Sequence, residues 1–386
     1  MTFDPHAAAA AYINGLGADA LAKAAAYTHG SHWLLLWGLL VEALVTWIIV
    51  RSGVLNRVGA ALARRGPNLR ALVVGSACLL VSALLSLPWT LYESWWRERR
   101  YGRTSQPLAD FLGQGLVDML LSVVLGSLFA VGVYALIRRA GRRWWIWSAG
   151  LTAVALTAVM VAAPIVIEPL FNDFTPVPAG EVRDALVVMA ERAGVQTDRI
   201  FVYDGSRQSN NFTANVAGLA GTARIAISDV AFKGASLDEV KAVTGHEMGH
   251  YVLGHVWRSV AVTAGLAILF FFLADRLFPG FARAFGSRAL LPDPVGLPVL
   301  LFIVSVFGLL AEPAFNAVSR SAEMEADRYS LETVNLPDAL ASALVKTAEY
   351  RNPRPGALEE WLFYDHPSVQ RRVLTAMEWK ASHDAR

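Results

Sequence analysis

The chain has 386 residues, of which 55% are hydrophobic and 17% charged, and its formal net charge is +2. Soluble domains average roughly 45–50% apolar and about 25% charged, so the balance is shifted toward lipid. A net charge this small does not suggest a surface for nucleic acid. The single cysteine, Cys78, lies in an apolar run and excludes an intramolecular disulfide.

Residues 1–30 are rich in alanine and carry Lys23 as their only basic residue. They lack the basic start of a cleaved signal, so the first spanning helix is expected to remain as an anchor. Crossing the hydrocarbon core takes roughly 20 helical residues. Apolar runs of that order occupy 32–50, 71–92, 112–137 and 144–167, predicting four spans. Arginine-bearing connections separate them: Arg51 to Arg70, WWRERRYGR at 95–103, and Arg138 to Arg143. The stretch IEPLFNDFTPVPAG (167–180) then breaks the pattern with three prolines and reads as the exit from the membrane.

A soluble α/β composition follows. GEVRDALVVMAERAG places Val182, Leu186, Met189 and Ala193 at helical spacing, with Gly194 as a stop. RIFVYDG (199–205) and ARIAISDV (223–230) are β-branched and alternating, hence expected strands. SLDE at 236–239 is a capping box, and its helix is expected to run through TGHEMGHYVLGH (244–255). Two more apolar runs, 259–275 and 295–311, make a membrane hairpin, after which the chain returns to soluble, helical composition. The expected fold is a mainly α polytopic membrane protein with about six transmembrane helices. Its units are 1–167 with four spans, 168–258, the hairpin 259–311, and 312–386.

His246, Glu247 and His250 form HExxH. On a helix, positions i and i+4 lie about 40° apart, so both imidazoles share one face. That spacing suits two nitrogens on one zinc ion, with Glu247 beside the metal where it can take a proton from water. A catalytic site needs a third protein ligand. His255 falls about 140° from His250 on a continuous helix and cannot share the ion; it reads as a packing or interfacial histidine, or a substrate contact. SRSAEMEADRYS (319–330) offers Glu323 and Asp327 at i, i+4, with Glu325 on another face, and Glu312 precedes Pro313 at the end of a span. One carboxylate can bind metal while the other orients a ligating imidazole. Spacing alone does not choose among these acids.

HEMGH, the ExxAD within EMEAD, FNDFTPVP after a span, and HPSVQRR near the end together resemble the integral-membrane zinc CAAX prenyl proteases and their bacterial relatives. LPWTLYESWWRERRYG and DGSRQSNNFTANVAGLAGTARIAISD extend the resemblance over nearly the whole chain. The resemblance implies a gluzincin-like α/β zinc metalloprotease unit interrupted by the membrane hairpin. It implies one zinc ion per chain on His246, His250 and Glu323, with Asp327 as outer support. It also marks His366 and Arg372 as stabilisers of the oxyanion, and Pro367 suits the first position of a helix following His366. The family's substrate-pairing segment corresponds to Thr213, Ala214, Asn215 and Val216, within an expected strand at 212–218. Thr213 stands where the family has asparagine, and eukaryotic members carry one further N-terminal span.

The function expected is therefore zinc-dependent endopeptidase activity, with Glu247 as base. Substrates would be membrane-associated or lipid-modified proteins or peptides, in CAAX-type processing or membrane-protein quality control. A bias to Ala, Arg, Gly and Leu suggests a GC-rich bacterial source and an inner-membrane location, which favours general proteolysis over farnesylated tails. A transporter is the rival from another class, resting on Glu42 and Asp118 in apolar runs; a non-catalytic zinc scaffold would have no use for Glu247. On sidedness the signals conflict. Arginines after the first and third spans would put the catalytic unit outside, those after the second weaken that asymmetry, and the resemblance implies a cytoplasmic active site, which is the side expected.

Overall fold

The computed structural model describes residues 3–211, 213–218, 222–347 and 351–383. The first helix, α1 (Pro5–Asn14), starts on proline, and the Asp4 carboxylate accepts from the N–H groups of His6 and Ala7. Helix α2 (Ala18–Ser52) is the first long apolar rod. After α3 (Val54–Ala61) comes α4 (Pro67–Thr90), which passes through a π-helical turn at Leu91–Trp96 into α5 (Arg97–Arg100). Pro88 sits inside α4 just before that turn, and Pro164 lies in a second one at Ala163–Ile167, after α6 (Leu108–Arg139) and α7 (Trp144–Ala162). Proline removes one helical hydrogen bond, and a local π turn accommodates the loss.

The α/β unit begins with β1 (Phe174–Pro176) and α8 (Glu181–Ala193), which ends on left-handed Gly194 as its sequence requires. Strands β2 (Ile200–Tyr203), β3 (Ala214–Ala217) and β4 (Arg224–Ser228) complete a sheet ordered β1-β2-β4-β3. β2 and β4 are parallel and the outer pairs antiparallel, so β3 is an edge strand. Of the expected strand at 212–218, Phe212 lies outside the described residues. Helices α9 (Asp229–Gly234) and α10 (Leu237–Val252) follow. Next come α11 (His255–Phe285), α12 (Leu297–Val334), α13 (Pro337–Lys346), α14 (Ala357–Phe363) and α15 (Val369–His383).

Six helical segments among the described residues are long and apolar enough to cross a membrane, and each contains one of the six expected runs. Two boundaries differ from expectation. The helix of the capping box stops at Val252, because Gly254 adopts a left-handed conformation (φ 66°) and restarts the chain as α11 at His255. Conversely, the helix that carries the sixth apolar run does not end at Pro313: α12 passes through that residue and is 38 residues long. The last membrane crossing and the EMEAD segment are thus one continuous rod.

That rod packs along α10 at very short range. A Cβ on Gly249 would lie 2.9 Å from the Ala326 Cα, and one on Gly245 would lie 2.7 Å from Val334 Cγ2. Ser330 Oγ donates to the Ala242 carbonyl (2.7 Å) across the same seam. Two glycines one helical turn apart therefore let the backbones approach until side chains from both helices can meet. Gly249→Ala is expected to cost about 1–3 kcal/mol through overpacking and to reduce metal retention. Gly308→Ala, on the same rod with nothing within 4 Å, is expected to be neutral. Thermal midpoints in detergent and metal content check both.

Candidate metal centre

Helix α10 is anchored before it reaches the site. Glu239 N–H donates to Ser236 Oγ (3.2 Å) and Ser236 N–H to the Glu239 carboxylate (2.7 Å), closing the capping box. The same carboxylate accepts from Lys346 Nζ (2.8 Å) and Ser342 Oγ (2.7 Å) on α13. Two turns further on, α10 presents both histidines to α12.

His246 Nε2 lies 3.1 Å from His250 Nε2 and 3.3 Å from Glu323 Oε2, and His250 Nε2 lies 3.3 Å from Glu323 Oε1. Ligands about 2.0–2.1 Å from a tetrahedral zinc are separated by roughly 3.3 Å, so these three side chains already describe one face of that tetrahedron. Glu323 Oε2 is buried and, among the described residues, accepts no hydrogen bond, although the Arg372 guanidinium compensates its charge from 3.4 Å; it keeps a lone pair free for a metal ion on the imidazole side. The residues fit the metal that the motif calls for, and they form a metal-compatible cluster among the described residues.

Asp327, 3% exposed, places Oδ1 2.9 Å from His246 Nδ1 and fixes the ring so that Nε2 faces the site. Arg372 forks onto the same carboxylate, with Nε and Nη2 each 2.7 Å from an oxygen, and its Nη1 stands 3.4 Å from Glu323 Oε2. Burial opposes the guanidinium's charge, but Asp327 and Glu323 outweigh it and hold the arginine above its ordinary range. Burial likewise opposes charge on His246, yet hydrogen bonds to Asp327 and Glu323 push the imidazole up to about 9. Metal and proton therefore compete for this ring, and metal retention falls as the pH is lowered.

His366 reaches the site from the segment before α15, with Nε2 3.2 Å from Glu323 Oε1 and Nδ1 2.8 Å from Asp365 Oδ1. Pro367 is not the first residue of that helix, as its sequence suggested. α15 starts at Val369, and Ser368 caps it by accepting the Arg371 N–H (3.4 Å). Serine's side chain can satisfy an orphan N–H that proline cannot.

Glu247 points from α10 into a cavity of about 210 Å³ shared with His246, Glu323, His366, Arg372, Thr213 and Ala214. Burial raises its carboxyl above the usual carboxylate range, partly offset by the two histidines. β3 forms one wall. Thr213, just before it, accepts the Ser228 N–H through its carbonyl (2.9 Å) and pairs its hydroxyl with Tyr203 (2.8 Å). Ala214, Asn215 and Val216 pair with Ile227, Ala226 and Ile225, and among the described residues their opposite edge has no strand neighbour. Asn215 Oδ1 is buried and has no hydrogen-bond partner among the described residues.

The helical wheel keeps His255 off the ion, and the three-residue cluster omits it; what the wheel did not show is its place behind His250. Because α10 breaks at Gly254, the imidazole folds back until its Nδ1 lies 2.9 Å from His250 Nδ1, while its Nε2 lies 3.0 Å from Glu325 Oε2. It does for His250 what Asp327 does for His246. Gly254 was the available signal: a glycine one position before a histidine, near the end of a capped helix, marks a stop. Outer partners of metal ligands are worth about 10–100-fold in metal affinity. His255→Ala is expected to weaken metal binding by that order, measured by chelator competition at fixed pH.

The chain matches the sequence model described as Peptidase family M48 over residues 176–380. It matches that of the CAAX prenyl protease N-terminal region, five membrane helices, over 7–173; in that range four of its described helices are of spanning length. It is 26% identical over 365 residues to an uncharacterized metalloprotease, YhfN, of Bacillus subtilis, covering 92% of this chain and 85% of the relative. It is 29% identical to a CAAX prenyl protease 1 homolog of Oryza sativa, covering 88% and 80%. The crystal structure of S. mikatae Ste24p superposes with a TM-score of 0.76 at 21% identity, covering 93% of this chain and 88% of that one, so the polytopic fold is shared. The chain belongs to peptidase family M48 and is a membrane-embedded metallopeptidase.

Proposed function

We propose that the metal is zinc, held by His246, His250 and Glu323, and that the protein is an endopeptidase of a bacterial inner membrane. The observation that carries this reading is the meeting of two imidazoles from α10 with one carboxylate from α12, on the wall of the cavity that holds Glu247 and the edge of β3. Two nitrogens and one carboxylate oxygen are a donor set of catalytic zinc, which leaves a position open. A zinc ion bound there supplies Lewis acidity, polarising a carbonyl and acidifying water.

The chain's own groups account for the rest. A peptide lying extended along the free edge of β3, at Thr213 to Val216, would pair through its backbone and bring one carbonyl over the cavity. Glu247 takes a proton from the attacking water as the new C–O bond forms, and delivers it to the amine as the C–N bond breaks. Its raised carboxyl is matched to that shuttle. His366, open to the cavity, donates toward the developing oxyanion. Arg372 adds positive charge from behind, its fork committed to Asp327.

A second cavity, of about 970 Å³, joins the site to the spans: His250 and Glu323 lie at one end, with Met160, Pro164, Val262 and Phe315 along its walls. Apolar walls continuous with the membrane helices suit substrates that are membrane-embedded or lipid-modified. Comparison of a farnesylated peptide with its unmodified twin separates these classes; equal cleavage supports general membrane proteolysis.

Glu247→Gln is expected to lower cleavage by about 10²–10⁴-fold with zinc still bound at one per chain. Full activity in that variant would remove Glu247 from the mechanism. His366→Ala is expected to lower kcat by about 10²-fold with KM little changed, measured on the same peptide.

A further inference from the structure

The two ends of the helix bundle differ sharply in charge, and the structure assigns every connection to one end or the other. The end away from the metal gathers the connections after the first, third and fifth spans. Arg70 pairs there with Asp293 (3.0 Å), Arg138 donates to Asn68 (2.6 Å), and Arg51 lies against Gly286. Residues 51–70, 138–143 and 275–293 carry twelve arginines and two aspartates, a net charge of +10. Ten of those arginines are exposed. Trp145 and Trp147 follow Arg143 at the start of α7 and are not buried, where aromatic residues mark a membrane interface.

The metal end holds the N-terminus, the connection after the second span, and the catalytic unit. Ile13 of α1 packs with Leu340, Val373 and Met377 of α13 and α15. Asn210 N–H donates to the Arg103 carbonyl (2.8 Å), and Arg207 bridges to Asp110. Residues 3–33 and 91–107 carry five basic and four acidic side chains, a net +1.

The four arginines of this second connection, which blur the sequence-level asymmetry, are engaged in the fold. Arg97 is buried, donating to the Tyr27 carbonyl (2.6 Å) and Ser31 Oγ (2.8 Å). Arg103 pairs with Glu98 (3.3 Å) and with the Tyr27 hydroxyl. Arg99 and Arg100 remain exposed but lie over the rings of Trp95 and Trp96, which leaves two exposed arginines here against ten at the other end. The remaining segments at this end, 171–254 and 312–386, exceed the roughly 60 residues over which loop charge sets orientation.

We propose that the arginine-rich end lies in the cytoplasm and that the metal centre faces the outer side of the membrane. Basic residues in short connections are retained on the cytoplasmic side and are attracted to its anionic leaflet. The cytoplasmic active site implied by the resemblance has no counterpart in this charge distribution. Taken with the peptidase reading, on which this consequence rests, the substrates are exported proteins or the outward-facing segments of membrane proteins, not cytosolic tails.

Orientation is testable without any activity. In bacterial spheroplasts treated with a membrane-impermeant maleimide, Gln196→Cys on the catalytic unit is expected to label before lysis. Ala63→Cys, at the arginine end, is expected to label only after lysis. The unaltered chain, whose single cysteine Cys78 is buried, is the blank, and a thermal midpoint in detergent equal to that of the unaltered chain confirms that each variant folds. The reverse pattern, or equal labelling of both sites before lysis, would overturn the proposal. A peptide added outside sealed spheroplasts provides a second arm, with Glu247→Gln as control. Outward labelling without cleavage would leave the orientation standing and sink the peptidase reading instead.

Discussion

The close crossing of α10 and α12 is the constraint from which the rest of the structure follows. HExxH supplies two imidazoles from one helical face, but a helix cannot supply a third ligand to an ion lying off its own side at the same height. That ligand must come from a neighbour close enough for a glutamate to reach both rings. Gly245 and Gly249 provide the approach by presenting no side chain where α12 passes, and the seam sets Glu323 within 3.3 Å of both imidazoles. Because α12 is also the sixth span, the position of the metal relative to the bilayer is fixed by one unbroken rod.

Around this seam each ligand is held from behind. Asp327 and Arg372 fix His246, and His255 with Glu325 fixes His250. Outer partners of this kind set the tautomer and the direction of the ring. Their charges are mutually compensating: Arg372 is buried against two carboxylates, so neither the arginine nor the acids are left alone in a low-dielectric site. The arrangement also separates tasks. Glu247, on the same helix but turned about 100° from His246, escapes this network and faces the cavity, where a base is useful.

Much of this was legible in the chain because the signals are local and periodic. The six apolar runs, the capping box at Ser236, the Gly194 stop and the strands around Phe201 and Ala226 each depend on a few neighbouring residues, and the structure contains all of them. What could not be read depends on tertiary contact. Pro313 looked like an end because proline disfavours helix interiors, yet the α12 helix continues through it. His255 stays off the ion as the wheel has it, but its place behind His250 could not be read, because the wheel assumed one helix where Gly254 makes two. The choice of Glu323 over Glu312 and Glu325 rested on resemblance, since spacing ranks them equally. Nor did the arginines of 97–103 reveal from sequence that Tyr27, Glu98 and two tryptophans already occupy them.

The central claim is that His246, His250 and Glu323, from two helices, bind one ion together. X-ray absorption at the metal edge of the purified protein tests it directly. The account predicts a shell of nitrogen and oxygen at about 2.0–2.1 Å with two imidazole signatures, losing one oxygen in Glu323→Ala. A metal environment unchanged by that substitution, or one with a single imidazole, would contradict it.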